Sequence, residues 1–411
     1  MSNTLKAIFQ RHYPAYRQGR GVSRDQHEAV NAVMRCGEPE LGSEYWRCQN
    51  DDYTEHSPHG CRHRSCPRCA KNYGETWLER VRERLLPCDH FHVIMTLPHE
   101  LNALWRYNRR WSNDVMLRSA VEAVQELLRD ARYLGAEVGV LAAVHTWGRS
   151  LSFHPHGHLI VSGGGLRDGR WIDAQGDYLL PAAVLKAKFR GKWLSWANAA
   201  YDTGAITLPT DWTEADWRRT LRAVARKRWA VRIQAGYRAG VGVSDYLSRY
   251  VRGGPIKNSR LLKGNGEDVR FRYTDHRDGK TKTMTMSAPH FIDRVLSHVP
   301  PKGAHTVRGY GLYATNGQPK RTLARTMLPT GEARMHARTK PVTPRRCPHC
   351  GAPLLHAYST RRDFSLIRRV RGASIVQQDV KADPPDAVPP TWPNASHPLT
   401  DFFCASYGRL N

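Results

Sequence analysis

SLSFHPHGHLIVSGGG, residues 150–165, is a β-like run that carries three histidines in phase. Successive side chains of a strand point to opposite faces, so His154, His156 and His158 project to one side. Just ahead of it, VGVLAAVHTWG, residues 138–148, is a second β-like run that places His145 on the preceding strand. A join near Gly148 to Ser150 predicts an antiparallel pair, and the three glycines Gly163 to Gly165 are read as the end of its second strand. Two imidazoles two residues apart on one sheet face can share a divalent metal. The plain alternative is a set of buried, structural histidines, but metal sites are where such clusters concentrate.

Outward from this pair, FHVIMTL at 91–97 is apolar and closed by Pro98, a buried strand. A long helical region follows from about Glu100 to Tyr133, with Val121, Val124, Leu127 and Leu128 at helical spacing. Residues 166–228 read as an insertion with helices, and a strand near Trp229 to Ala235 leads back to the core. The segment 244–251 reads as a short helix capped by Ser244 and stopped by Gly253, Gly254 and Pro255. VRFRYTDHRDGKTKTMTM, 269–286, alternates on both sides of Asp278-Gly279 and predicts a hairpin. Phe291 to Val299 is helical. Residues 301–346 carry ten Lys or Arg and one acid, Glu332, which predicts an extended basic arm on nucleic acid. The stretch from about Gln377 to Pro398 is proline-rich and polar and is expected to be poorly ordered.

The pattern predicts an α+β fold. A central antiparallel sheet carries helices packed on it at 87–310, with a small amino-terminal zinc-binding domain at 1–86 and a basic extension at 311–411. The 411 residues carry 63 Lys plus Arg against 37 Asp plus Glu, a formal charge of +26 that favours polyanionic partners, chiefly nucleic acid. The basic stretch Trp217 to Trp229, with Arg218, Arg219, Arg222, Arg226, Lys227 and Arg228, is a candidate DNA contact, as are Arg249, Lys257 and Arg260. The longest apolar stretch, around Val138 to Val144, is too short to cross a bilayer, and residues 1–20 lack a secretory apolar core. A cytoplasmic protein without a membrane partner is the expectation.

Tyr246-Leu247-Ser248-Arg249-Tyr250 places two phenols one helical turn apart, with Arg249 beside them. Taken alone they are an amphipathic stripe. A phenol titrates near pH 10 and attacks poorly unless a metal or cation polarises its target. With a divalent ion on the histidines drawing charge from a phosphate oxygen, a tyrosine oxygen can attack phosphorus in line with the leaving 3′ oxygen. The products are a 5′-phosphotyrosine and a free 3′ hydroxyl, and the exchange can run backwards without ATP.

FHVIMTLPHEL, HTWGRSLSFHPHGHLIVSGGG, YLSRYVRGGPIKNSRL and DHRDGKTKTMTM, in this order, resemble rolling-circle insertion-sequence transposases with a histidine-hydrophobe-histidine (HUH) nuclease core and a two-tyrosine helix. The resemblance covers about residues 20–315. It implies that His156 and His158 bind the metal, that Tyr246 and Tyr250 are the nucleophile positions, and that the substrate is single-stranded or hairpin DNA at element ends. Gly157 stands where the family usually has a bulky apolar residue, a change expected to loosen the strand while leaving both ligands in place. The third ligand is open among His154, His92, His145 and Asp245, and a carboxylate would suit Mg²⁺ or Mn²⁺ better than a third imidazole. A plasmid or phage replication initiator shares this chemistry, and a non-catalytic zinc-containing DNA-binding regulator is the alternative from another class.

The nine cysteines form the third signal. Cys66-Pro67-Arg68-Cys69 is a tight turn presenting two thiolates, with Cys48 and Cys61 upstream at ribbon-like distances, which predicts a structural Zn²⁺. Cys36, His56, His59 and His63 are nearby candidates. The resembled family has a second CxxC where this chain has Cys48-Gln49-Asn50-Asp51, so Cys61, a histidine or Asp51 must substitute. Cys347-Pro348-His349-Cys350-Gly351 is half of another ribbon, its partner open among His356, Cys404 and the amino-terminal cluster.

Overall fold

The computed structural model describes residues 4–70, 81, 83–237, 254–264, 266–275, 277–328 and 344–360. The expected helix at 244–251, and with it Asp245, Tyr246, Arg249 and Tyr250, lies outside the described residues, as do Cys404 and the proline-rich tail.

At the amino end, α1 (Leu5–Arg17) and α2 (Arg24–Met34) each begin at a side-chain cap, Thr4 and Ser23, the latter in a reciprocal box with Gln26. The hairpin β1 (Ser43–Arg47) and β2 (Thr54–Pro58) follows. Then come β3 (His90–Thr96), α3 (Asn102–Tyr107), α4 (Arg109–Arg129), β4 (Glu137–Trp147), β5 (Phe153–Arg167) and β6 (Arg170–Asp173). Helices α5 (Ala182–Asp202) and α6 (Glu214–Arg226) lead to β7 (Ala230–Tyr237). Beyond lie β8 (Leu261–Leu262), β9 (Asp268–Thr274), β10 (Thr281–Ser287), α7 (Ala288–Leu296), β11 (Val307–Gly311), α8 (Gln318–Met327) and β12 (Leu355–Ser359).

The centre is a six-stranded antiparallel sheet in the order β11-β4-β5-β3-β7, with β6 paired to the far end of β5. Strict alternation sends Val93, Met95, Val140, Ala142, Leu159 and Val161 to one face. There they join Val121, Val124 and Leu128 of α4 and Phe189 and Trp193 of α5 in the largest core. Helices of the 166–228 segment therefore build this core, with Trp217 of α6 and Trp229 buried in it. On the opposite face Leu141, Ala143 and Ile160 meet Leu312, Tyr313, Ala324 and Leu328.

Three expectations change. Gly163 to Gly165 do not end β5, which continues to Arg167. A Cβ on Gly163 would lie 2.8 Å from the Asp89 carbonyl oxygen and one on Gly165 2.6 Å from that of Glu137, so glycine lets neighbouring backbone approach inside the strand. Residues 307–328 are not an extended arm: β11 pairs with β4, and α8 buries Ala324 against the sheet while Lys320 ion-pairs with Glu137. Charge content outweighed Leu312, Tyr313, Ala324 and Leu328, which supply the docking face. Nor do α1 and α2 keep a core of their own. Phe9, Tyr13 and Val30 pack with Phe271, Phe291 and Ile292, and the Tyr16 hydroxyl donates to Asp293 Oδ1 at 2.7 Å.

The β9–β10 hairpin pairs Thr274 with Thr281 around Gly279, whose φ of 68° places it in the left-handed region. Strand β12 adds to the edge of β1, giving a three-stranded sheet β12-β1-β2 from residues at opposite ends of the chain. Among the described residues no helix is long and apolar enough to cross a membrane.

Candidate functional site

Strands β3, β4 and β5 bring four histidines together on the face not covered by α4. His145 and His156 are directly paired across β4 and β5, and His158 follows two residues on. One ring nitrogen from each of His145, His156 and His158 lies within 4.8 Å of the others, a spacing one ion can bridge. His154 is exposed, and its backbone carbonyl accepts a 2.6 Å hydrogen bond from His156 Nδ1, which leaves Nε2 of that ring for a ligand. His92 stands behind His158, Nε2 to Nδ1 at 3.0 Å, and so fixes the ring from the rear. Among the described candidates for a third ligand, His145 is the one whose ring joins the pair.

Burial sets the charge state. It pushes the His156 imidazole down to about 4 and His158 well below its ordinary value, and does the same to His92, with Arg232 adding to the effect. Neutral imidazole is the form that ligates a metal, so these rings fit a divalent ion without first losing protons. Gly157, between the two paired histidines, faces the opposite side, where a Cβ would sit 3.1 Å from Met116 Cε of α4. The methionine occupies the space a bulky residue would take, and β5 runs through Gly157 without a break.

Beside His145 a cleft of about 430 Å³ is lined by Arg62, Arg64, Arg109, His298 and Gly254. These arginines carried no motif and were missed from sequence; they come from the stretch between Cys61 and Cys66 and from α4. His298 stacks on Phe153 and is hydrogen-bonded to Thr146 Oγ1 at 3.1 Å and to the Leu151 carbonyl at 3.2 Å.

The candidate DNA-contacting cations divide. Arg218 and Arg219 are ion-paired with Glu214 and Asp216, and Lys227 with Glu100. Arg222 donates to the Arg218 carbonyl at 3.3 Å, while Arg226, Arg228 and Lys257 are exposed. The Arg260 guanidinium donates to the carbonyls of Arg149 and Arg272 at 2.6 and 2.8 Å and lies over Phe271, tying loops together.

The cysteines sort differently from their spacing. Cys36, Cys61, Cys66 and Cys69 bring their sulfurs within 4.8 Å of one another. Cys48 is not in that group. It lies with Cys347 and Cys350, because β12 pairs with β1 and carries the second CxxC turn to it. Backbone N–H groups of Arg62 and His63 donate to the sulfurs of Cys69 and Cys61 at 3.3 and 3.5 Å, and a Cβ on Gly60 would lie 2.5 Å from Cys69 Sγ. Four thiols wrapped this closely fit a tetrahedral zinc. The neighbouring histidines are engaged elsewhere: His59 with Glu44, His56 stacked on Tyr45, and His63 accepting from the Ser65 N–H.

Residues 8–97 match the family described as "Transposase zinc-binding domain", and residues 139–321 match the one described as "Putative transposase". The first match spans all four clustered cysteines and the second spans His145, His156 and His158, which defines the class: a transposase with a zinc-binding domain. The chain is 32% identical over 358 residues to "Transposase for insertion sequence element IS801" of Pseudomonas savastanoi pv. phaseolicola, covering 82% of this chain and 84% of that protein. It is 35% identical over 312 residues to "Putative transposase y4qJ" of Sinorhizobium fredii (strain NBRC 101917 / NGR234), covering 74% and 78%. No solved structure matches it. The chain belongs to the IS91-type insertion-sequence transposases, together with the IS801 transposase.

Proposed function

We propose that this transposase nicks and rejoins single-stranded DNA at element ends in rolling-circle fashion, through a covalent 5′-phosphotyrosine. The observation that carries the reading is the convergence of His145, His156 and His158 on one sheet face. Those three rings are the proposed ligands of Mg²⁺ or Mn²⁺, and of these two ions Mn²⁺ accepts nitrogen ligands more readily. Such an ion, when bound, draws charge from a scissile phosphate oxygen. His92 and the His154 carbonyl hold the ligand rings in place, and Arg62, Arg64 and Arg109 give the adjoining cleft the sign a DNA strand requires.

Tyr246 and Tyr250 are the proposed nucleophiles. A phenol oxygen forms a bond to phosphorus, the bond from phosphorus to the 3′ oxygen breaks, and that oxygen leaves with a proton as a 3′ hydroxyl. Gly254, four residues after Tyr250, lines the cleft beside His145, and four residues span at most about 14 Å. Zinc on Cys36, Cys61, Cys66 and Cys69 is structural. Resemblance to transposases along most of the chain favours this reading over a replication initiator. To test it, the protein is incubated with Mn²⁺ and labelled single-stranded end DNA and scored for a denaturation-resistant conjugate. Conjugate should form, and Tyr246→Phe with Tyr250→Phe should abolish it while leaving DNA binding intact; conjugate persisting in the double variant would overturn the assignment.

A further inference from the structure

We propose that Cys48, Asp51, Cys347 and Cys350 form a second zinc site, which fastens residues 344–360 to the amino-terminal hairpin. The sulfurs of Cys48, Cys347 and Cys350 lie within 4.8 Å of one another, and Cys48 and Cys350, 302 residues apart in sequence, are 3.4 Å apart. That separation is far beyond a disulfide's S–S length of about 2.05 Å, and it suits two ligands of one ion. The surrounding backbone is shaped for thiolates. The Asn50 N–H donates to Cys48 Sγ at 3.4 Å. The Cys347 turn is closed by Cys347 N–H to the Ala352 carbonyl and Gly351 N–H to the Cys347 carbonyl, at 2.8 and 2.9 Å, with Gly351 at φ 74°.

Asp51 is the proposed fourth ligand, its carboxylate grouped with Cys347 and His349 and needing a side-chain turn to meet all three sulfurs. Asp51 follows Cys48 at the spacing by which Cys350 follows Cys347, and its carboxylate is within 4.8 Å of the Cys347 sulfur. His349 lies inside the second turn, between its two thiols, with a side chain 61% exposed against 30% for Asp51. Its Nδ1 is 2.8 Å from Asp51 Oδ2, the position of a partner that orients a ligand from behind. Three thiolates with one carboxylate suit zinc and discriminate against Mg²⁺.

The packing also calls for such a staple. Strand β12 is exposed at all five positions, and the apolar cluster beneath the turn holds Cys48, Cys347 and Leu354, with Trp46, Tyr53 and Ala352 at its edge. A core this small cannot by itself hold a segment that joins from so far along the chain.

Zinc content of the purified full-length chain after a chelator wash is the first measurement. Cys48→Ser and Cys350→Ser should each lose one equivalent relative to the parent; two variants that both keep the parental content would overturn the site. Where a variant does not fold, cobalt titration of the parent decides the matter, because thiolate-to-cobalt absorption should saturate at two equivalents, and saturation at one refutes it. Asp51→Ala should weaken the more labile zinc about tenfold or more in chelator competition, and Asp51→Cys should tighten it. A larger loss in His349→Ala than in Asp51→Ala would remove the carboxylate from the ligand set.

Discussion

The same strands build both faces of the six-stranded sheet, yet the faces obey different rules. On one, Val93, Met95, Leu159 and Val161 disappear under α4 and α5 among Trp193, Trp229 and Phe189, where shape and area decide everything. On the other, His92, His145, His156 and His158 leave the apolar cover of Tyr313 and α8 behind and cluster, with Nδ1 of His156 held by the His154 carbonyl and Nδ1 of His158 by His92. Alternation with a period of two lets one stretch of sequence serve both, so an altered residue should damage stability or chemistry according to the parity of its position.

The largest expected effects separate the faces. His158→Ala should lower DNA cleavage by about a thousandfold or more, the equivalent of ~4 kcal/mol of lost charge stabilisation, with a melting temperature near that of the metal-free parent. Trp193→Ala, which empties a site 1% exposed at the centre of the aromatic cluster, should cost about 3–5 kcal/mol of stability. Its folded fraction should still bind metal with parental affinity. Denaturant unfolding and Mn²⁺ titration on both proteins check the contrast, and a Trp193→Ala protein that folds normally but loses metal would break it.

A smaller effect concerns protons. Burial pushes His298 down to about 4, so above pH 6.5 the folded and unfolded states are both neutral there. Between about 6.5 and 4 the unfolded chain takes a proton that the folded one refuses, and stability falls as pH falls. The loss from this group is roughly 3 kcal/mol and levels off below about pH 4. Unfolding midpoints across that window should drop, and His298→Gln should make the fall shallower, the buried His92, His156 and His158 supplying the rest of it. An unchanged slope in the variant would mean that His298 is not the residue responsible.

Much of this difference was legible beforehand. Apolar, β-rich runs marked the strands around His92, His145 and His156, and alternation about Asp278-Gly279 marked the hairpin, because both signals act over a few residues. What was not legible acts over long range. Cys36 joins Cys61, Cys66 and Cys69 through the packing of α1 and α2, and Cys48 finds Cys347 only when β12 reaches β1. Gly163 to Gly165 look like a stop until the approach of Asp89 and Glu137 is known, and the high charge of 301–346 masked the few apolar residues that dock α8. Of the third-ligand candidates only geometry separates His145, opposite His156, from His92, behind His158.

The smallest effect bears on which cations meet DNA. Arg62 lines the cleft beside His145 and is exposed, whereas Arg218, on α6 outside the apolar face, is ion-paired with Glu214, just as Arg219 is with Asp216. A phosphate contact by Arg218 must compete with a carboxylate already in place, so the first turns of α6 present little net charge. Each lost phosphate contact reduces the slope of log affinity against log salt by about 0.7 for single-stranded DNA. Arg62→Ala should remove about that much, and Arg218→Ala less than half of it. Equal reductions would show that α6 lies on the DNA path as fully as the cleft does, and the functional difference between the two sides would then be confined to the metal centre.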